Sequence, residues 1–311
     1  MAEFPTGYVV HRPTDHDASA IADVVQALDV ADFGEPDFTE QDLRDDWLRP
    51  RFSLATDAWV VQGPTGRVIG YAYVWEAQVD REIEADAFVL PEYSGRGLGG
   101  QLLDLVETRA REVCAGRSMS LGMFASTAND DKRNLLELRG FAHLRSVLRM
   151  RIDLSANPIE DVVLAPTIEI RAFAPGDEAA VRAVWLEVFA GHGRFSSRAT
   201  EEWFQGRFDH PAFDPTLWQV AVDGDTIVGA ILVFDVGPTG YTSAVGVRAG
   251  ARGRGIGPAL LRAAFGALRA RGQMRVVVSV DADAEAGLLA LYEAAGMRVH
   301  ERHEFFAKTL S

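Results

Sequence analysis

Apolar and polar positions along the chain fall into two periods, and the segments carrying them follow an order that occurs twice. In the first half, residues 8–12 alternate as a strand, and 15–30 show the three-to-four-residue spacing of a helix opened by Thr and Asp cap candidates. A second helix is predicted over 39–48. Strands follow at 58–62 and 67–75, joined by Gly63-Pro64-Thr65-Gly66, a hairpin signal, and then at 82–89. Beyond a glycine-rich turn come a helix over 100–113, a strand at 118–124, a helix over 130–139 and two strands within 141–154. The second half predicts strands at 168–172, 217–222, 226–236, 241–247, 275–280 and 297–308, the last broken by a turn, with helices at 177–190, 199–207, 258–271 and 283–295.

The two halves align residue by residue. Gly97 and Gly255 are 158 positions apart, Arg12 and Arg171 159, Trp47 and Trp203 156, Gly70 and Gly229 159, and Gly140 and Gly296 156. A nearly constant offset held in order along the chain is the mark of a tandem repeat. The expected domains are 1–154 and 168–311, with the Pro-containing stretch 155–167 as linker. Strands joined by hairpins early and through helices late imply an α/β protein with a mixed sheet and helices on both faces.

The turn shared by both copies carries the chemistry. In the second copy, Arg252-Gly253-Arg254-Gly255-Ile256-Gly257 follows the apolar run 243–247 and opens a helix in which Leu261, Ala264, Phe265 and Leu268 line one face. Helix-opening amides lack intrahelical partners and sit at the positive end of the dipole, so an anion is expected there. Glycines let it approach the backbone, and Pro258 suits a first-turn position that needs no N–H. The first copy has Ser94-Gly95-Arg96-Gly97-Leu98-Gly99, followed by Gly100, after Ala87-Phe88-Val89.

Composition narrows the ligand. A net charge of −14 opposes nucleic acid and anionic membranes, which select basic patches, and is compatible with an amine-bearing small molecule. No apolar run reaches the length of about 20 residues that spans a bilayer, and residues 1–7 lack a secretory signal, so a cytoplasmic protein is expected. Lysine occurs only at 132 and 308, and the lone cysteine, Cys114, lies on a predicted helix as a structural thiol. The literal Gly-x-Gly-x-x-Gly at Gly95, Gly97 and Gly100 fits a dinucleotide site poorly. It follows four strands rather than one, and no acidic residue stands near Ser118-Met119-Ser120 to take a ribose.

Strand, glycine turn and helix together resemble the acyl-CoA signature of GNAT N-acetyltransferases, whose pattern is Gln or Arg, two residues, Gly, one residue, Gly or Ala. The resemblance continues through Val280-Asp281-Ala282-Asp283 to Leu291-Tyr292-Glu293-Ala294-Ala295-Gly296-Met297 and covers both halves. It implies two tandem GNAT domains that use acetyl-CoA and no metal, with an amine attacking the thioester directly once its proton is removed. Arg252, Gly253, Arg254, Gly255, Ile256 and Gly257 would hold the coenzyme diphosphate, with Gly95, Arg96, Gly97, Gly99 and Gly100 as their counterparts. Val245, Val247 and Val89 would bond the pantetheine arm, and Tyr292 would protonate the departing thiolate.

Only the second copy keeps both the arginine and the tyrosine, since the first has Ser94 and Leu136 there, with Asn129 at the place of a common asparagine that the second replaces by Ala284. This asymmetry resembles the tandem arrangement of mycothiol synthases and implies catalysis in the C-terminal copy. A synthase-type glutamate is expected where this copy has Tyr241. A non-catalytic acyl-CoA-binding protein is the alternative.

Each candidate has a structural rival. Tyr292 falls in the stripe Leu288, Leu291, Tyr292, Ala295, which a core tyrosine would share. Asp235 is the candidate general base, with turn capping as the other reading. Glu82, Glu84 and Asp86 point to one strand face, as a base, an ammonium-binding patch or a solvated surface. His192, between Gly191 and Gly193, is a candidate for lining the acceptor site or an exposed loop histidine. Neither acceptor identity nor oligomeric state is legible.

Overall fold

In a computed structural model the chain is described over residues 4–79, 81–157, 162–190, 197–236, 239–283 and 286–310. It divides into two compact units, Met1–Val147 with Glu301–Ser311, and Leu148–His300. The mixed α/β class is as expected. The units depart from the spans 1–154 and 168–311 in their closing strands, which the two copies exchange.

In the N-terminal unit, β1 (Val9–His11), β2 (Ala58–Gln62), β3 (Val68–Gln78) and β4 (Glu82–Val89) form an antiparallel run, and β4 lies parallel to β5 (Met119–Ser126). Helices α1 (Ala18–Phe33), α2 (Glu40–Trp47), α3 (Leu54–Asp57), α4 (Leu98–Cys114) and α5 (Asp130–Leu138) complete it. Thr39 starts α2 through a capping box with Asp42. On α4, Leu98, Leu102, Leu103, Val106, Ala110 and Cys114 are buried, the stripe that its sequence spacing predicts. α3 was not predicted, because four residues are too few to display a helical period.

β6 (Ala142–Asp153) is one strand rather than the expected two, and its alternating Leu148, Met150 and Ile152 are buried in the C-terminal unit beside Val276 and Val278. That unit contains β7 (Ile168–Ala172), β8 (Gln219–Asp223), β9 (Thr226–Val236), β10 (Thr239–Val247) and β11 (Arg275–Asp281), with α6 (Glu178–Ala190), α7 (Ser197–Phe208), α8 (Ile256–Ala270) and α9 (Ala286–Ala294). The last strand, β12 (Arg298–Leu310), runs without the expected break. Its residues 303–310 pair antiparallel with β5 and deliver Phe306 and Leu310 to the N-terminal core.

The duplication is visible in close contacts. A Cβ on Gly70 would lie 3.1 Å from the Phe88 carbonyl and 3.5 Å from Leu102, and one on Gly229 would lie 3.1 Å from the Gly246 carbonyl and 3.2 Å from Leu260. The same crossing of β-hairpin and helix excludes a side chain in each copy. Among the described residues no helix is long and apolar enough to cross a membrane.

Candidate active site

Each glycine turn is built on two left-handed residues, Gly95 (φ 72°) and Gly97 (φ 80°) in one unit, Gly253 (φ 75°) and Gly255 (φ 79°) in the other. Side-chain-bearing residues pay a steric penalty in that region. Gly97 and Gly255 are the N-caps of α4 and α8, and neither offers a capping side chain, so the first helical amides remain available to an anion. The third glycines have a different task. A Cβ on Gly99 would come 3.2 Å from Leu135, and one on Gly257 3.2 Å from Leu291, so these positions let the next helix pack closely rather than admit a phosphate. Gly100 likewise leaves room for the Arg139 guanidinium.

Surroundings of the two turns differ. Around Gly95 and Gly97 the space is open, whereas Val162 and Leu164 lie 3.4 and 3.5 Å from where a Cβ of Gly255 would stand. Arg252 folds back to donate to the Val247 carbonyl at 3.2 Å, and Arg254 pairs with Asp223 at 2.6 Å. Arg96 instead lies over Tyr93, its centre 4.7 Å from the ring. Ile256 is buried in the core, and Val245 and Val247 pack against it.

Next to each turn the parallel strands part. Among the described residues, β4 and β5 pair only at Glu82–Ser120, Ile83–Leu121 and Glu84–Gly122, and β10 and β11 only at Gly240–Val276 and Tyr241–Val277. In the N-terminal unit this parting opens a cavity of about 770 Å³, lined by Asp86–Val89, by Met123, Phe124 and Ser126, and by Gly95, Gly97, Gly99 and Gly100. Its other end is polar. Lys132 forms an ion pair with the buried Asp86 and lies 5.1 Å from the Phe88 ring centre. Burial raises the Asp86 carboxyl above its usual range while Lys132 acts to lower it, and burial also raises Asp32, which bonds Ser126 and Asn129. His303 reaches the same cavity from β12 and bonds Glu301 at 2.9 Å.

The other strand carboxylates are held elsewhere. Glu84 accepts a hydrogen bond from Tyr73 at 3.2 Å and stands 3.6 Å from Arg49, which also pairs with Asp46 at 2.5 Å. Glu82 accepts from Gln78 at 2.9 Å. Burial pushes Asp46 up to about 6.

In the C-terminal unit, Tyr292 on α9 is 2% exposed within the core cluster, and burial raises its phenol above the ordinary range, with Tyr241 the next contributor. Leu136 occupies the matching place on α5, fully buried, and lines the N-terminal cavity. Asp235 stands opposite Gly240 at the hairpin end of β9, where it accepts from Gln273. Val247, beside the turn, pairs with Gly229, so Asp235 is separated from it by most of the ladder, about 20 Å at 3.3 Å per residue. His192 and Ala284 lie outside the described residues.

Several cavity residues were not found from sequence. Asp29 and Asp32 share a face of α1 through their i, i+3 spacing, and Lys132 was flagged only as one of two lysines. His303 had no local signal, since the strand exchange that brings it there is a tertiary event.

Left-handed glycine turns capping helices beside parted parallel strands, repeated in two units, define a tandem N-acyltransferase fold. The Acetyltransferase (GNAT) family pattern matches residues 22–141 and again 179–297, and the chain belongs to that family of acyltransferases. Mycothiol acetyltransferase of Clavibacter michiganensis is 32% identical over 302 residues, covering 91% of this chain and 92% of that protein. The Geodermatophilus obscurus mycothiol acetyltransferase is 29% identical, covering 96% and 97%. Of solved structures, a GCN5-related N-acetyltransferase from Sphaerobacter thermophilus superposes with a TM-score of 0.82 at 30% identity, covering 99% of this chain and 97% of that one. A tandem GNAT protein from the clavulanic acid biosynthesis pathway shares the fold, with a TM-score of 0.70 at 17% identity and coverage of 97% and 98%.

Proposed function

We propose that the chain transfers an acetyl group from acetyl-CoA to the primary amine of a small molecule by direct attack, with the chemistry in the C-terminal unit. The observation that carries this reading is the conjunction, in that unit alone, of the signature turn, the parted strands β10 and β11, and a tyrosine on α9. The turn amides of 253–257 would hold the donor's diphosphate, and the free edges of the parted strands would bond its pantetheine arm. Burial keeps the Tyr292 phenol protonated, the state in which it can donate to a departing thiolate. Asp235 is not carried forward as the base, because Gln273 engages it at the hairpin end of β9. A base relayed by water would suit the same geometry.

A second reading is favoured by the N-terminal cavity, which joins an open glycine turn to parted strands. That unit would bind acetyl-CoA as well. The site an incoming amine needs, beside Asp86 and over Phe88, is filled by the Lys132 ammonium, which supports donor binding there without transfer to an external acceptor.

Calorimetric titration with acetyl-CoA, together with release of free thiol across a panel of amines, tests both readings. Two donor sites per chain and thiol release that depends on Tyr292 are expected. Release that persists in Tyr292→Phe and is lost in Gly97→Val would move the chemistry to the N-terminal unit.

A further inference from the structure

Arg207, on α7, is a half-buried guanidinium for which none of the described residues supplies a carboxylate. Its Nε donates to the Ser243 hydroxyl at 2.9 Å, and its centre lies 4.9 Å from the Trp203 ring. Burial lowers its proton affinity, and Tyr241 acts in the opposite direction. Arginine stays protonated in proteins, so this is a poorly solvated cation with no anion beside it among the described residues.

The other copy indicates what is missing. Arg49, just past the end of α2, reaches Glu84 on β4 as Arg207 reaches Ser243 on β10, with Trp75 of β3 as its ring partner at 4.7 Å. There two acids close the charge: Asp46 at 2.5 Å and Glu84 at 3.6 Å. Across the hairpin ladder, and past a bulge between Thr242 and Ala244, the position on β10 that matches Glu84 is Tyr241, and the one that matches Asp86 is Ala244. The C-terminal unit thus sets a cation against β10 without the strand acids of β4. Ser243, which holds Arg207, lies just past the last β10–β11 pair, at the start of the parting where the acyl group is proposed to lie. Trp185, Phe189 and Trp203 pack on one another beside it, with centroids 5.2 to 5.6 Å apart, and form an aromatic wall.

We infer that Arg207, with Ser243 and the Trp203 face, is an anion subsite that selects acceptors carrying an acidic group, a carboxylate or a phosphate, apart from the amine to be acetylated. This rests on the proposed transfer in the C-terminal unit and deepens it. The acceptor is then zwitterionic rather than simply cationic. Its acid replaces the counter-ion that Arg49 finds within its own chain, and its apolar body lies along the aromatic wall. A planar guanidinium suits a carboxylate or phosphate through paired hydrogen bonds, and the low-dielectric surroundings strengthen them.

The test is thiol release from acetyl-CoA with matched acceptors: β-alanine and β-alaninamide, phenylalanine and phenylalaninamide, phosphoethanolamine and ethanolamine. The anionic member of a pair is expected to have kcat/KM about 10- to 100-fold above its neutral partner, the size of a hydrogen bond to a charged group. The carboxylate and phosphate pairs tell the two acids apart. Arg207→Gln should close the gap by raising KM for the anionic members far more than for the neutral ones, and Arg207→Lys should restore part of it. Equal kcat/KM within every pair overturns the subsite and leaves amine acetylation standing, as does a uniform loss for neutral and anionic amines in Arg207→Gln. No thiol release with any of the six, in protein that binds acetyl-CoA, overturns both.

Discussion

The two glycine turns share a backbone and differ in everything that touches it. Gly95 and Gly97 match Gly253 and Gly255 within a few degrees of φ, and the third glycine of each turn admits a leucine of the following helix at the same 3.2 Å. Yet one turn opens on a cavity in which Lys132 pairs with Asp86, and the other is flanked by Val162 and Leu164, in the unit proposed to use Tyr292 and Arg207. Duplication preserved the part that main-chain geometry dictates, while the side chains around the turns drifted apart. A glycine turn therefore marks backbone suited to an anion and is silent on which copy turns over.

The sharpest way to break this comparison is Tyr292→Phe. If the phenol is the acid, kcat should fall about a hundredfold, at the lower end of what a positioned general acid contributes, with acetyl-CoA binding unchanged. The reciprocal change, Leu136→Tyr, places a hydroxyl where Leu136 is fully buried and should lower stability without creating turnover. A kcat that is indifferent to Tyr292→Phe would remove the asymmetry between the units.

Next in size is a test of the strand exchange. A Cβ on Gly122 would stand 2.3 Å from the Phe305 ring, which packs on Phe124 at 4.8 Å. Gly122→Ala must displace β12 from β5 or turn the ring out, and should cost about 1–3 kcal/mol in chemical denaturation, the usual penalty of overpacking. β11, the counterpart of β5, carries Val276, Val277, Val278 and Val280 instead of a glycine. Its partner strand β6 brings Met150 and Ile152 rather than a phenyl ring.

Much of this was legible in the chain. The repeat offset, the helix starts at both turns and the hairpins before them follow from local rules: period, glycine and cap. The exchange of closing strands was not, because β12 has the same alternation whether it pairs with β5 or with β11, and register partners are chosen by tertiary packing. For the same reason the site residues divided. The glycine turns could be read from local pattern, and Tyr292 was a candidate through the family resemblance, its spacing alone fitting a core tyrosine, whereas Lys132, His303 and Arg207 take their surroundings from neighbours on other elements. The expected base Asp235 had the right charge on the right sheet, at the end of the hairpin away from the turn.

Backbone equivalence of the turns is tested by Gly97→Ala and Gly255→Ala. Both force a side chain into the left-handed region, at about 1–2 kcal/mol each. Open space around Gly97 and ordinary contact distances around Gly255 leave strain as the common term. Similar losses of denaturation free energy are expected. A much larger loss at Gly255 would mean that the Val162–Leu164 segment is packed there too rigidly to shift.

The smallest effect concerns the guanidiniums. Arg49 is closed by Asp46, whose carboxyl is raised from 3.8 to about 6 by burial, and Arg207 has no such partner among the described residues. Between those values the folded protein holds a proton that the unfolded chain has released, so stability falls as pH rises from 3.8 toward 6, and the cost persists above. Asp46→Asn should flatten that part of the stability profile and leave the variant relatively better off above pH 6 than below pH 4. Arg49 would still have Glu84, at 3.6 Å, so its own charge is not stranded. Because no described acid pairs with the C-terminal guanidinium, Arg207→Gln should leave the slope as it is. If Arg207→Gln flattened it and Asp46→Asn did not, the acid-closed cation would belong to the other unit, and the vacancy assigned to Arg207 would have to be moved with it.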